Sequence, residues 1–341
     1  MSPEALHASG PSPDAGGSGT ERLAAISIDL DEVPCYAAVH GLGAGARAHG
    51  PSGRAIYDRA LPRFEEWLGG LGLPATFFVI GRDLARRDAA RAIRRLGEGG
   101  FEIGNHSAQH PYDLTRRPLP ALRAEVEEGV RAIAEVVGVP PRGFRAPGYT
   151  IDDRLLGVLQ EAGVAYDSSV FPCPAYWGAK AMAIAAYRAQ GRPSRSILDH
   201  PRVLTAPGDP YRPALGGPFH RRGRPGGPLV ELPIGVTRAG TGRLPVIGTS
   251  LVLAGRTGAR RLVRGILGRP LVNLELHGID LADATADGLD WLAPHQPDLR
   301  VTAREKRATL TGVVDLLRGA GYRFVRLDEA AARLGGDAAH P

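Results

Sequence analysis

Eight short segments of the chain are apolar almost without interruption: LAAISIDL (23–30), ATFFVIG (75–81), FEIGN (101–105), GFRAP (143–147), VAYDSS (164–169), LVELPI (229–234), LVNLELH (271–277) and YRFVRL (322–327). Unbroken hydrophobic runs of this length suit strands covered on both faces, the usual state of a parallel sheet. Between them lie segments with helical character, at 57–70, 83–97, 119–137, 151–162, 178–190 and 303–319. Glycine follows the last helical turn at Gly138, Gly163 and Gly321, where a left-handed residue would close a helix. Strand–helix alternation repeated this often predicts an α/β fold, with parallel strands and crossover helices in an open sheet or a barrel.

One stretch breaks the alternation. Residues 191–228 are crowded with Pro, Gly and Arg. Strand-like segments resume after them, so we expect a long loop over the active face of one domain. Residues 1–20 are rich in Gly, Ser and Pro and are expected to be a disordered tail.

Composition narrows the partners. The 341 residues, 43% hydrophobic and 23% charged, describe a chain able to bury a sizeable core. The net charge of +6 comes almost wholly from arginine, with Lys180 and Lys306 the only lysines. No basic run interleaved with aromatics appears, so no nucleic-acid partner is expected. The basic amphipathic stretch 256–269 reads as a solvated helix face, with peripheral contact to a membrane surface as its rival. Cys35 and Cys173 make no disulfide framework, and neither a signal peptide nor an apolar run of membrane-spanning length is visible. A cytoplasmic protein, acting in part at the inner membrane surface, is the expectation.

Candidate chemistry collects at the carboxyl ends of the strands, where a parallel α/β fold gathers its functional groups. The first strand ends in IDLDE. Asp29 and Asp31, two apart, face the same side of an extended chain. Two carboxylates there need a cation or donors, unless a turn exposes them to water. The third strand leads into NHSAQH, and the spacing of His106 and His110 lets two imidazoles converge on one ion. A pair of solvated loop histidines would look the same. The fourth leads into FRAPGY, where Arg145 wants a carboxylate partner. The fifth ends in YDSS and offers Asp167, which also suits a turn before Pro172. The seventh ends in LELHG and offers His277, a packed or a catalytic imidazole. Each bland reading is respectable singly. Together the five strand ends hold the parts of metal-assisted hydrolysis.

The motifs ISIDLDE, NHSAQH, FRAPGY, YDSS and LELHG, in this order, resemble those of the polysaccharide deacetylase family, the NodB-homology group of carbohydrate esterase family 4. The resemblance spans roughly residues 22–335. It implies a distorted (β/α) barrel of about seven parallel strands, one domain over 21–335, with 191–228 as a loop insertion. It implies metal-dependent removal of an acyl group, usually acetyl, from an amino sugar in a glycan or glycolipid precursor, with zinc as the usual ion. By the same resemblance Asp31, His106 and His110 hold the metal. Asp29 is the general base, Arg145 fixes it, His277 is the general acid and Asp167 orients His277. The Gly148 N–H helps hold the oxyanion beside Tyr149, and Leu274 and Leu276 line the acyl pocket. Two departures stand out. Leu30 separates the aspartates and Glu32 follows them, which leaves Glu32 as an alternative ligand. Gly148 stands where Tyr commonly follows Pro. The rival readings are an amidohydrolase for a small nitrogenous compound and a catalytically silent carbohydrate-binding barrel. An intact ligand set argues against a metal-independent version of the first. Retention of both Asp29 and His277 argues against the second.

Overall fold

The computed structural model describes residues 21–43, 45, 50–192 and 194–335, so the expected disordered tail at 1–20 lies outside the described residues. All eight expected strands form: β1 (Leu23–Asp29), β2 (Thr76–Val79), β3 (Glu102–Asn105), β4 (Gly143–Phe144), β5 (Tyr166–Asp167), β6 (Val230–Glu231), β7 (Leu271–His277) and β8 (Arg323–Phe324). Seven follow one path in the order β6-β5-β4-β3-β2-β1-β7, every pair parallel, and β8 pairs with the first residues of β1. The path curls, and its two ends meet without a ladder. Gly235 N–H donates to the Asn273 carbonyl, and the Asn273 carboxamide donates to the Leu232 carbonyl. The result is the distorted barrel the motifs imply.

Alternation along β1 divides the core. Ala24, Ile26, Ile28 and Leu30 join the cluster under the helices, with Trp67, Val263 and Leu317. Leu23 and Ala25 face the inside of the curl, with Phe78, Tyr166, Leu232 and Leu271. Ser27 and Asp29 continue that inner face by the two-residue period of a strand.

Nine α-helices occur among the described residues: α1 (Val33–Val39), α2 (Leu61–Leu71), α3 (Arg87–Glu98), α4 (Leu119–Val137), α5 (Asp153–Glu161), α6 (Pro174–Ala189), α7 (Gly248–Ile266), α8 (Ala303–Gly319) and α9 (Leu327–Leu334). Their ends follow local chemistry. The Asp152 carboxylate accepts from Leu155 N–H to start α5, Thr302 and Glu305 form a capping box on α8, and α4 stops at Gly138 with φ of 88°. The helix α7 takes in most of the basic stretch 256–269. Its Ala259, Val263 and Ile266 are buried in the core, and Arg256, Arg260, Arg261 and Arg264 lie on the exposed side. No helix among the described residues is long and apolar enough to cross a membrane.

The long segment after α6 packs mainly sideways. Val203 and Phe219 join the α4–α5 core, and Tyr211 bridges Glu231 at the end of β6. Only its beginning, around Arg195 and Asp199, reaches the rim of the strand ends.

Candidate active site

Asp29 is the last residue of β1, level with Phe78 of β2 and His277 of β7. Two residues on, Asp31 returns to the same side while Leu30 between them packs into the helix-facing core. Asp31 Oδ1 lies 3.3 Å from His106 Nε2 and 3.1 Å from His110 Nε2. The histidines sit in a loop, not on a helix. Ser107 and His110 take left-handed φ values of 65° and 56°, and His110 N–H donates to Ser107 Oγ at 3.0 Å. Strain of this kind at non-glycine residues persists only where the surroundings fix it. His106 Nδ1 donates to the Arg145 carbonyl at 2.7 Å, since a carbonyl can only accept. That fixes the tautomer and leaves the Nε2 lone pair facing Asp31.

Arg145 is fully buried and its guanidinium is well supplied with acceptors. Nη1 donates to Asp29 Oδ1 at 2.7 Å, Nη2 to Ser27 Oγ and Ser168 Oγ at 2.8 Å each, and Nε to the Ser168 carbonyl at 2.9 Å. Its cationic carbon lies 4.3 Å from the centre of the Phe78 ring. Asp29 is thereby held from one side, with its Oδ2 3.8 Å from His106 Nε2.

On the β7 side, His277 Nδ1 lies 2.9 Å from Glu275 Oε1, and its Nε2 is 3.3 Å from the Tyr149 hydroxyl. Burial opposes charge on this imidazole, but Glu275 and Asp29 hold its pKa well above the ordinary histidine value. Tyr149 and Gly148 both adopt left-handed φ, 60° and 61°, and Lys180 Nζ donates to the Gly148 carbonyl at 2.9 Å. Tyr149, Phe171 and Tyr176 form an aromatic wall next to the histidine.

Three expected placements are corrected. Asp167 does not touch His277. On β5 Tyr166 points into the curl, so alternation turns Asp167 to the other face, in register with Phe144 and Glu231. It accepts from Ser169 Oγ at 2.7 Å, and burial raises its pKa. The partner of His277 is Glu275, two residues earlier on the same strand face. Leu274 and Leu276 alternate with Glu275 and His277, so they face the helices with Ile26 and Ile28 and line no acyl pocket. Glu32 is not poised as a ligand. Its carboxylate accepts from the N–H groups of Val33, Ile56 and Tyr57, and burial pushes its pKa up to about 7.

The residues present fit a divalent metal. Asp31 Oδ1 and both ring nitrogens of His110 are buried without a hydrogen-bond partner, which is costly for polar atoms unless an ion or water engages them. Burial would raise the Asp31 carboxyl, but His110 and His106 hold it well below the usual carboxylate range. One carboxylate and two imidazoles are donors suited to zinc and its neighbours. Cys35, on α1, lies with Asp31 and His110 in a group whose donor atoms are within 4.8 Å of one another. Nothing in the sequence around Cys35 sets it apart from Cys173 as a possible ligand.

The family model described as Polysaccharide deacetylase matches residues 50–166, a segment that contains the His106–His110 loop and Arg145. Over that segment the chain resembles the polysaccharide deacetylase family. Among curated relatives, a chitooligosaccharide deacetylase of Bradyrhizobium sp. (strain ANU 289) is 37% identical over 94 residues, which are 27% of this chain and 42% of that protein. A peptidoglycan deacetylase of Helicobacter pylori is 25% identical over 157 residues, 44% of this chain and 50% of that protein. The chain thus covers about half or less of these curated relatives' length. A crystal structure from Mycobacterium smegmatis, described under the same family, matches with a TM-score of 0.59 at 19% identity, covering 98% of this chain and 96% of that one. That likeness concerns the fold alone.

Proposed function

We propose that this protein hydrolyses the N-acyl amide, acetyl by preference, of an amino sugar in a glycan or glycolipid precursor, with a divalent metal, zinc foremost, held by Asp31, His106 and His110. The observation that carries the reading is the buried Asp31 flanked by two imidazole Nε2 atoms, with an arginine-clamped Asp29 alongside. A metal in that position supplies Lewis acidity to the amide carbonyl and to water.

The chain's own groups divide the rest. Asp29 accepts the proton of the attacking water, and Arg145 holds it in place through one of its oxygens. That leaves Oδ2, on the side of His106, free for the proton. On the opposite flank His277 carries its proton on Nε2, donates it to the departing amine, and is kept cationic by Glu275. Base and acid thus lie on adjacent strands, level with one another in the sheet. The aromatic wall of Tyr149, Phe171 and Tyr176, not Leu274 and Leu276, offers the acyl methyl its apolar surface. The supporting relatives named above are deacetylases of chitooligosaccharide and peptidoglycan.

Elemental analysis and turnover of an acetylated amino sugar test the reading together. The purified protein should carry about one divalent ion, lost on His106→Ala or His110→Ala. Asp29→Asn should keep the ion and lose ~10²–10⁴-fold in kcat, the usual worth of a general base, while Asp31→Asn loosens the ion. Activity that survives chelation, or an ion retained without His106 and His110, overturns it.

A further inference from the structure

A cavity of about 1070 Å³ borders the centre on the side of β2 and β3. His110 and Cys35 form one wall, whereas Asp29, Arg145 and His277 are not among its lining, so the cavity flanks the reacting groups without containing them. Its chemistry is unlike that of a neutral-sugar cleft. Among the described residues, five arginines line it against three carboxylates. One of the five, Arg117, is engaged by Asp113 at 3.0 Å and Glu125 at 3.2 Å. Glu32 is committed to backbone N–H groups behind the wall.

Arg54 is drawn to Asp58 and Asp88 at 3.6 and 3.8 Å, and the other three guanidiniums are only partly engaged. Arg195 is exposed and enters no ion pair among the described residues. Arg82 spends one nitrogen on the Gln109 carbonyl at 2.8 Å and another on Cys35 Sγ at 3.4 Å, a weak acceptor, while its Nε lies a loose 3.8 Å from Asp83 Oδ1. Arg86 Nη2 is buried with no hydrogen-bond partner, and its Nη1 and Nε only approach Glu32 and Asp88, at a long 3.5 Å each. Unsatisfied guanidinium donors in a concave site are complementary to an oxyanion, above all to phosphate, which accepts the planar fork in pairs.

We propose that this cavity seats a phosphate ester carried by the substrate beside its acylated amino sugar, with Arg82, Arg86 and Arg195 as donors. The inference rests on the deacetylase reading, because His110 is shared between the metal set and the cavity wall, so a sugar engaged at the centre presents its substituent here. It gives the segment after α6 a role in recognition, since Arg195 comes from that segment. The phosphate belongs either to a soluble sugar phosphate or to the headgroup of a lipid-linked sugar.

Calorimetry on the whole chain in the presence of chelator separates this site from any metal-borne affinity. Inorganic pyrophosphate and N-acetylglucosamine 1-phosphate should bind saturably, and N-acetylglucosamine should not. Arg195→Ala, at an exposed position, and Arg82→Ala should each weaken binding about tenfold or more, the worth of a charge-assisted contact. Absence of binding, or affinity unmoved by both substitutions, overturns the proposal. A short prenyl ester of the sugar phosphate that binds tighter than the methyl ester identifies a lipid-linked source, and equal affinity identifies the soluble one. Turnover with metal restored is scored apart. Acyl release favouring the phosphorylated sugar, with that preference reduced in Arg195→Ala, supports the proposal. Phosphate binding without acyl release from any sugar removes the deacetylase reading and leaves the anion site standing.

Discussion

Glu275 and His277 stand two apart on one strand, and the carboxylate is fully buried with the imidazole at 2.9 Å as its close charged partner. If Glu275 is what keeps His277 cationic, Glu275→Gln should lower kcat by roughly 10–100-fold and move the alkaline limb of the pH–rate profile to lower pH. The sign follows from the role. A proton-donating imidazole loses activity as pH rises through its pKa, and removing the anion beside it lowers that pKa. A limb that stays in place would deny Glu275 the role. The same pair shows what was legible at this scale. Asp29, Asp31, His106, His110, Arg145 and His277 announce themselves as polar residues ending apolar strands, and the fold brings all six together. Glu275 could be found by the period-two rule that joined Asp29 to Asp31, but an acid inside LVNLELH reads simply as strand. Asp167 fails by the same rule, since one step along β5 reverses its face. The serine cage of Arg145 needs Ser27 and Ser168 from distant strands, and nothing local in the chain points to it.

Elements were legible where their signals were local. The eight strands appear as expected, though β4, β5 and β6 keep only two paired residues each, because the curl lets neighbours separate after a short contact. The helices α1 and α9 were missed. The first is one short element between polar strand-end residues, and the second is a brief closing helix. The fit of α4 against β3 lies beyond any pattern in the sequence. A Cβ on Gly129 of α4 would fall 2.3 Å from Asn105 Oδ1, and Asn105 Nδ2 donates to the Val126 carbonyl of the same helix. Gly129→Ala must therefore displace the side chain that immediately precedes His106. We expect a loss of about 1–3 kcal/mol by chemical denaturation, as overpacking typically costs, together with weaker metal retention. Unchanged stability would mean that α4 can shift outward freely.

Across the whole molecule, burial leaves several carboxyls with raised pKa values, and Glu102 is the cleanest. It accepts from Thr76 Oγ1 at 2.6 Å, Tyr166 OH at 2.7 Å and Asp328 N–H at 3.0 Å, and burial pushes its pKa to about 7. The fold then holds a proton that the unfolded chain releases near its ordinary value of 4.5. Stability from this group is intact below that value and declines as pH rises toward 7, by at most about 3 kcal/mol. Glu102→Gln is nearly isosteric, since its amide can donate to Tyr166 while its oxygen keeps the other two donors. It should flatten the fall in Tm between pH 5 and pH 8, and an equally steep fall in the variant would refute the assignment. Assembly of the centre has a temporal side as well. Arg145 reaches Asp29 across 116 residues of chain, and Ser27 meets Asn273 across 246. During synthesis β1 leaves the ribosome long before its neighbour β7, so the strand that ends in Asp29 waits half-paired while the strands between them are made. Contacts this distant in sequence form late. Asp29 and His277 therefore cannot meet on any nascent chain that ends before β7, and on the proposed reading the newborn protein is chemically inert until its sheet closes.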